Sequence, residues 1–214
     1  LIISGGLGFL VWWDISRTFH TVMKRRFSGE QLFTRLTLHS KVVILMTVML
    51  LILGTALFLI LEYNNSETMG KMNFFNKILS SFFQSVTVRT AGFASVPQEN
   101  LTDASALVSM ILMFIGGSPI GTAGGVKTTT VAVLMIAAAS FSAGRKSPTV
   151  FGRTLPDDTL KKALTVFIVS FCVLISAVIL LLATQSEGSF IDIAFETVSA
   201  LGTVGLSRAY SPSL

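Results

Sequence analysis

Residues Gly116 to Gly125 read GGSPIGTAGG, in the middle of a stretch, Ala104 to Gly144, whose single charge is Lys127. Five glycines and a proline in ten residues do not suit an ordinary helix, yet the flanks are apolar throughout. This reads as a membrane span broken at its centre. Working outward, Val42 to Leu61 and Ala163 to Ser186 are uncharged, and each supplies the roughly 20 apolar residues that cross a bilayer as helix. Leu1 to Val11, running into Trp12, Trp13 and Asp14, reads as the end of a further span with tryptophans at the interface. The pattern implies at least four crossings.

Composition agrees. Of 214 residues, 51% are apolar and 13% charged, and the mean hydropathy is +0.74, too apolar for a water-soluble domain of this size. A single Cys and two His exclude a disulfide scaffold and argue against a His/Cys metal cage. Cys172 is expected as buried filler, and His20 and His39 as connector residues. The formal charge of +5 raises nucleic acid as a partner until the cations are located. Eleven of the sixteen lie in Asp14 to Lys41 and Phe141 to Lys162. By the positive-inside rule these segments are cytoplasmic, which leaves membrane lipid rather than nucleic acid as the partner. Glu62, Glu67, Glu99 and Asp103 then fall outside. Arg17 to Ser40 reads as a solvated connector, with an interfacial helix as the other reading. The opening LIISGGLGF has neither Met nor a basic leader, and the chain stops at SPSL, so the expectation is a fragment without a signal peptide.

Two half-length segments carry the chemistry. Asn73 to Phe93, NFFNKILSSFFQSVTVRTAGF, follows the first full span, and Ser189 to Leu206, SFIDIAFETVSALGTVGL, follows the last. Each is too short and polar to cross, starts on the outer side, and ends in a Thr-x-Gly-apolar tetrad: Thr90, Ala91, Gly92, Phe93 and Thr203, Val204, Gly205, Leu206. Setting Gly92 on Gly205 also superposes Ile78 on Ile191, Phe82 on Phe195 and Thr90 on Thr203, the mark of an internal repeat. A dehydrated cation within a membrane needs oxygen ligands, and backbone carbonyls from several extended loops can supply them. Glycine permits the dihedrals that aim successive carbonyls at one axis. TVGL is also close to the start of the potassium-filter string TVGYG. The plainer alternative is a turn after a buried helix.

RTAGF with its pore helix, MFIGGSPIGTAGGVKTTT, the opening GGLGF, the connector RLTLHSKVV and the final SALGTVGLS resemble the Trk/Ktr/HKT superfamily of potassium transporters, most of all the bacterial Ktr-type (TrkH-like) membrane subunit. The resemblance implies an all-α membrane protein of the potassium-channel-like type, built of helix–pore-loop–helix modules in pseudo-fourfold arrangement. Residues 1–40 would end the second module and form a cytoplasmic connector, 41–145 would be the third module, and 146–214 the fourth without its last helix. It assigns the two tetrads to potassium-binding filter loops. It also implies that Gly116 to Thr129 is an intramembrane gate, with Gly116, Gly117, Ser118, Pro119, Gly121, Thr122, Ala123, Gly124, Gly125 and Lys127 at its heart. A permanently kinked helix in close contact through Gly and Ser is the other reading. The implied activity is gated potassium uptake across the plasma membrane of a bacterium, with potassium as substrate and no cofactor. A homodimer seated on a cytoplasmic nucleotide-binding regulatory ring is the implied assembly.

Three charges stand out at membrane depth. Lys127 either biases the gate with its charge, snorkels to the cytoplasm, or satisfies carbonyls freed by the break. GTAGGVKT is not a phosphate loop, because Val126 occupies the position where that motif wants glycine and no strand precedes it. Arg89 and Glu196 are expected behind the filter, neutralising each other or finding backbone partners. Asp192 reads as an N-terminal helix charge. The chain is not read as an enzyme. The competing function is a secondary transporter with its substrate site at the broken helix, which calls for inverted repeats, whereas these two units run the same way. A structural or lipid-handling subunit would leave the tetrads without purpose.

Overall fold

The computed structural model describes residues 2–24, 35–121, 123–145, 147–185 and 188–208, of which 22–24 by backbone alone. Thr122, Arg25, Arg26 and Lys146 lie outside the described residues. Helices make up nearly all the secondary structure. In chain order they are α1 (Ile2–Gly6), α2 (Phe9–Lys24), α3 (Leu38–Glu62), α4 (Phe74–Thr87), α5 (Asp103–Phe114), α6 (Thr128–Ser142), α7 (Asp157–Thr184) and α8 (Phe190–Leu201). A hairpin of β1 (Thr149–Val150) and β2 (Arg153–Thr154) joins α6 to α7.

Two helix lengths recur. The uncharged runs become α3, with 25 residues, and α7, with 28, reaching about 37 and about 42 Å at 1.5 Å per residue. Both are long enough to cross a bilayer core about 30 Å thick. Four more, α4, α5, α6 and α8, have 12 to 15 residues and go only about halfway. The broken span is thus α5 and α6 with a loop between them, and the tetrads follow α4 and α8.

Local chemistry fixes the helix ends. Thr37 caps α3 by accepting the Ser40 N–H at 3.3 Å, and Asp14 of α2 accepts both the Thr37 N–H (2.9 Å) and its hydroxyl (2.8 Å). An acid of one helix therefore seats the next. His20 and His39, both expected in the connector, are helical instead, His20 within α2 and His39 in the first turn of α3. At the C-terminal end of α3, Glu62 is fully buried. Its carboxylate accepts the Thr102 N–H (3.0 Å) and hydroxyl (2.8 Å), the Asn65 amide (2.7 Å) and the Thr68 hydroxyl (2.5 Å). One side chain so ties the outer connector to the α5 cap.

The core lies where the half-helices meet the long ones. Leu50 and Phe58 of α3, Leu112 and Met113 of α5, Leu174 and Val178 of α7 and Phe195 and Val198 of α8 pack together with Val88, Val204 and Leu206 from the loops. Gly54 lets α4 close on α3, since a methyl there would strike the Ser85 side chain, whose hydroxyl donates to the Leu51 carbonyl at 3.1 Å. The outward faces stay apolar: Ile52, Ile60 and Leu180 are each more than 60% exposed, a surface that suits lipid rather than water. α7 buries only Ala163, Leu174 and Val178. For that reason Cys172, expected as buried filler, is exposed on this helix.

Candidate ion pathway

The two tetrads share one unusual backbone. Positive φ falls on Thr90 (73°) and Gly92 (74°) and again on Thr203 (54°) and Gly205 (84°), but not on Ala91 or Val204. A β-branched residue with positive φ is a real outlier, held only where its surroundings enforce it, at about 1–3 kcal/mol each. Alternating the sign of φ turns successive peptide planes the same way, so carbonyls line one side of the strand and N–H groups the other. The same departure at both threonines is the geometric form of the sequence repeat. In the fourth loop Val204 and Leu206 are buried in the core while Thr203 and Gly205 are exposed. Space in front of Gly205 is open. Gly92 lies edge to edge with the fourth loop, since a methyl on it would run into the Val204 carbonyl.

Each loop is braced, by different means. Behind the third, the Thr87 carbonyl accepts the Ala91 (3.1 Å) and Gly92 (3.3 Å) N–H groups. The fully buried Thr87 hydroxyl donates to the Phe93 carbonyl (2.7 Å) and accepts the Phe93 N–H (2.8 Å), pinning both ends of the turn. Gln84 and Gln98 exchange buried amide bonds of 2.8 and 3.2 Å alongside. The repeat puts Ala200 where Thr87 stands, so the fourth loop has no such hydroxyl. There Glu196 accepts the Ser207 hydroxyl and the Arg208 N–H (3.1 Å), and the Arg208 guanidinium reaches Asp192 at 3.1 Å and Asp103 at 3.9 Å. Asp192 is indeed in the first turn of α8, capped by Ser189. Glu196 therefore takes the backbone alternative. It forms no ion pair with Arg89 among the described residues. Arg89 is buried, with its Nε unpartnered, facing a cavity of about 10 Å³ beside Thr47, Gly6 and Gly117.

The glycine-rich run closes on itself. Ile115 bridges Val126, the Val126 N–H donates to the Phe114 carbonyl (2.9 Å) and the Thr128 N–H to the Gly117 carbonyl (3.1 Å), and the buried Ser118 and Thr128 hydroxyls meet at 3.2 Å. Lys127 donates to the Ala123 carbonyl, the third of its sequence readings. Small residues are needed here, because a methyl on Gly116 would overlap the Gly124 carbonyl. The loop is gripped from two sides. On one, the Ser118 N–H donates to the Gly6 carbonyl and the Phe9 N–H to the Ile120 carbonyl, each at 3.0 Å. Gly8, at φ 80°, leaves room there for the Pro119 carbonyl. On the other, the Gly124 N–H donates to the Thr203 hydroxyl at 3.0 Å. The break between α1 and α2, the loop, and the fourth tetrad thus form one connected unit.

Sequence reasoning singled out the tetrads, Gly116 to Lys127, Arg89 and Glu196. It missed Thr87, Glu62, Arg208 and the grip of Gly8. Of these only Gly8 carried a signal, its place in GGLGF beside a predicted interface.

Comparison with known proteins places the chain in a family over nearly its whole length. The family model described as TrkH, cation transport protein, matches residues 1–212. The potassium/sodium uptake protein NtpJ of Enterococcus hirae is 42% identical over 217 residues. The Ktr system potassium uptake proteins B of Vibrio alginolyticus and Bacillus subtilis are 37% and 35% identical over 214. Each alignment covers 100% of this chain and 45% of the relative, so the chain spans less than half the length of these relatives. Among solved structures, the potassium transporter TrkH of Vibrio parahaemolyticus matches 96% of this chain and 43% of its own, with a TM-score of 0.66 at 18% identity, a likeness of fold.

Proposed function

From the premise that this chain belongs to the TrkH family of cation transport proteins, we propose that it forms part of a gated pathway for potassium uptake across the plasma membrane. Thr90, Ala91, Gly92 and Phe93 with Thr203, Val204, Gly205 and Leu206 supply carbonyl oxygens that replace the hydration shell of the ion. The observation that carries this is the shared left-handed φ at both threonines and both glycines, in abutting loops. Strain of that kind persists at ligand sites, and a mere turn would not need it twice. The relatives' names, potassium/sodium uptake protein and potassium uptake protein B, support an alkali cation as cargo, with transport rather than catalysis as the activity.

The modules extend over 1–40, 41–145 and 146–214, arranged in pseudo-fourfold fashion around the pathway with the remaining filter loops. Gly116 to Lys127 is the gate: small residues, hydrogen-bonded to the fourth tetrad, standing in the route. Thr87, Arg89 and Glu196 hold the filter from behind. The whole protein works as a homodimer on a cytoplasmic regulatory ring. A transporter alternating about the broken helix has no specific observation in its favour. The test is Gly205→Val in the whole protein. Its φ of 84° and the open space before it mean that valine strains the loop and protrudes into the pathway. Rubidium uptake in potassium-uptake-deficient cells should fall to background at normal expression, and wild-type flux would exclude the filter assignment.

A further inference from the structure

On the cytoplasmic half of the molecule a cavity of about 490 Å³ runs between α3, α6 and α7. Its wall is apolar along Val42, Val133, Ile136 and Val166. The inner end reaches Pro119 of the gate loop and Thr129 just after it. The other end is closed by Val150 of the β-hairpin and Leu155 just after it, and carries Lys162 and His39. Lys162 is exposed, while His39 Nε2 is buried without a hydrogen-bond partner, a costly state for a polar ring nitrogen. The hairpin turn is itself strained: Phe151 adopts φ 48° and Gly152 φ 74°, the mirror-image two-residue turn. It thereby presents a half-exposed phenylalanine ring with Lys41 5.9 Å above it.

Depth and charge identify the occupant. α3 and α7 both enter the membrane from the cytoplasm, so Lys162, His39 and Phe151 stand at headgroup level, where aromatic and basic side chains anchor and anionic lipid concentrates. From Ile136 to Thr129 the groove descends along α6 by about 10 Å, a depth for acyl chain rather than for water. We propose that this groove seats an anionic phospholipid of the cytoplasmic leaflet, its acyl chain against Val133 and Val166 and its phosphate on Lys162 and His39. A protein partner fits less well, because the deep apolar end opens below the surface a cytoplasmic subunit can touch. The chain end lies against Pro119, so occupancy acts on the gate loop; this last step rests on the gate reading given above.

The whole protein, purified in detergent from phosphatidylcholine vesicles with and without phosphatidylglycerol, is assayed for retained lipid by mass spectrometry. Wild type should retain phosphatidylglycerol several-fold over phosphatidylcholine, and Lys162→Gln should remove the preference. Val133→Trp should expel both lipids, while Lys71→Gln, on the outer side, changes nothing. Equal retention by wild type and Lys162→Gln would overturn the proposal, as would displacement of the lipid by an added cytoplasmic subunit without loss of uptake. Gly205→Val should abolish rubidium uptake yet leave lipid retention intact, so a failure here is separable from a failure of the filter reading.

Discussion

Gly124→Ala offers the most direct view of how the glycine-rich loop and the proposed filter are joined. Its new methyl would lie 2.8 Å from the Gly202 carbonyl oxygen and 2.7 Å from Thr203 Cγ2, and closer still to the Thr203 hydroxyl that the Gly124 N–H now meets at 3.0 Å. Relief requires the loop to back away. Losing that hydrogen bond costs about 1 kcal/mol net, and forcing a methyl into a packed contact about 1–3 kcal/mol. The seated loop is then disfavoured by about 2–4 kcal/mol, a shift of roughly 30- to 700-fold in the equilibrium between seated and displaced forms. Since the added methyl would not itself line the filter, the rate of rubidium uptake by the whole protein should rise while its half-saturation stays put. Gly8→Ala, which strikes the Pro119 carbonyl from the opposite side at a φ of 80°, should act in the same direction. Unchanged uptake for both variants at equal expression refutes the idea of a seated gate. A fall in uptake would make the loop a brace instead.

Other expectations follow the bracing side chains. Thr87→Val severs both bonds to Phe93 at about 2 kcal/mol and should lower potassium preference over sodium in competition uptake, with Thr87→Ser restoring it. Arg89→Gln and Glu196→Gln should impair uptake additively in a double-mutant cycle, because the two groups are held separately; strong coupling would reinstate the ion pair. Glu62→Gln should lower the melting temperature of the purified protein, losing about 2–3 kcal/mol as charge-assisted bonds weaken, with the size of the shift in a thermal scan as the check. At Asp14, burial pushes the carboxyl pKa up, but hydrogen bonds from Ser40 and Thr37 and the charge of Arg17 outweigh it, so the value lies below the ordinary 3.8. A depressed pKa stabilises the fold above the unfolded value and is lost as pH falls through the folded one. Thermal stability should therefore carry an Asp14-dependent drop only below about pH 4, absent in Asp14→Asn.

Much of this was legible in the residues. Helix existence followed from uncharged length at α3 and α7, and the break at GGSPIGTAGG from the number of glycines in one span. The tetrads were visible because their chemistry repeats in sequence. Interactions that hold the site were hidden for a different reason. Thr87 and Glu196 brace equivalent loops with unrelated groups at non-equivalent positions, so no repeat could expose them. Glu62 was read only as lying outside the membrane, because nothing local tells that donors from Asn65, Thr68 and Thr102 will converge on its carboxylate. His39 and Cys172 were misplaced through their settings: one through a helix that begins earlier than the apolar run, the other through an apolar run whose helix turns most of its surface outward. The β-hairpin carries only a Phe-Gly pair as its signal, too slight to read among connector residues.

The unlike fastenings of the two tetrads have a consequence for inheritance. A ring made of identical subunits must accept every alteration in all its walls at once. In this chain the two repeats are fastened differently, a threonine hydroxyl pinning one tetrad and a carboxylate stapling the other. Matching substitutions at Thr87 and Ala200 should consequently meet different fates, so that the proposed cation route could be retuned from one repeat without disturbing the other.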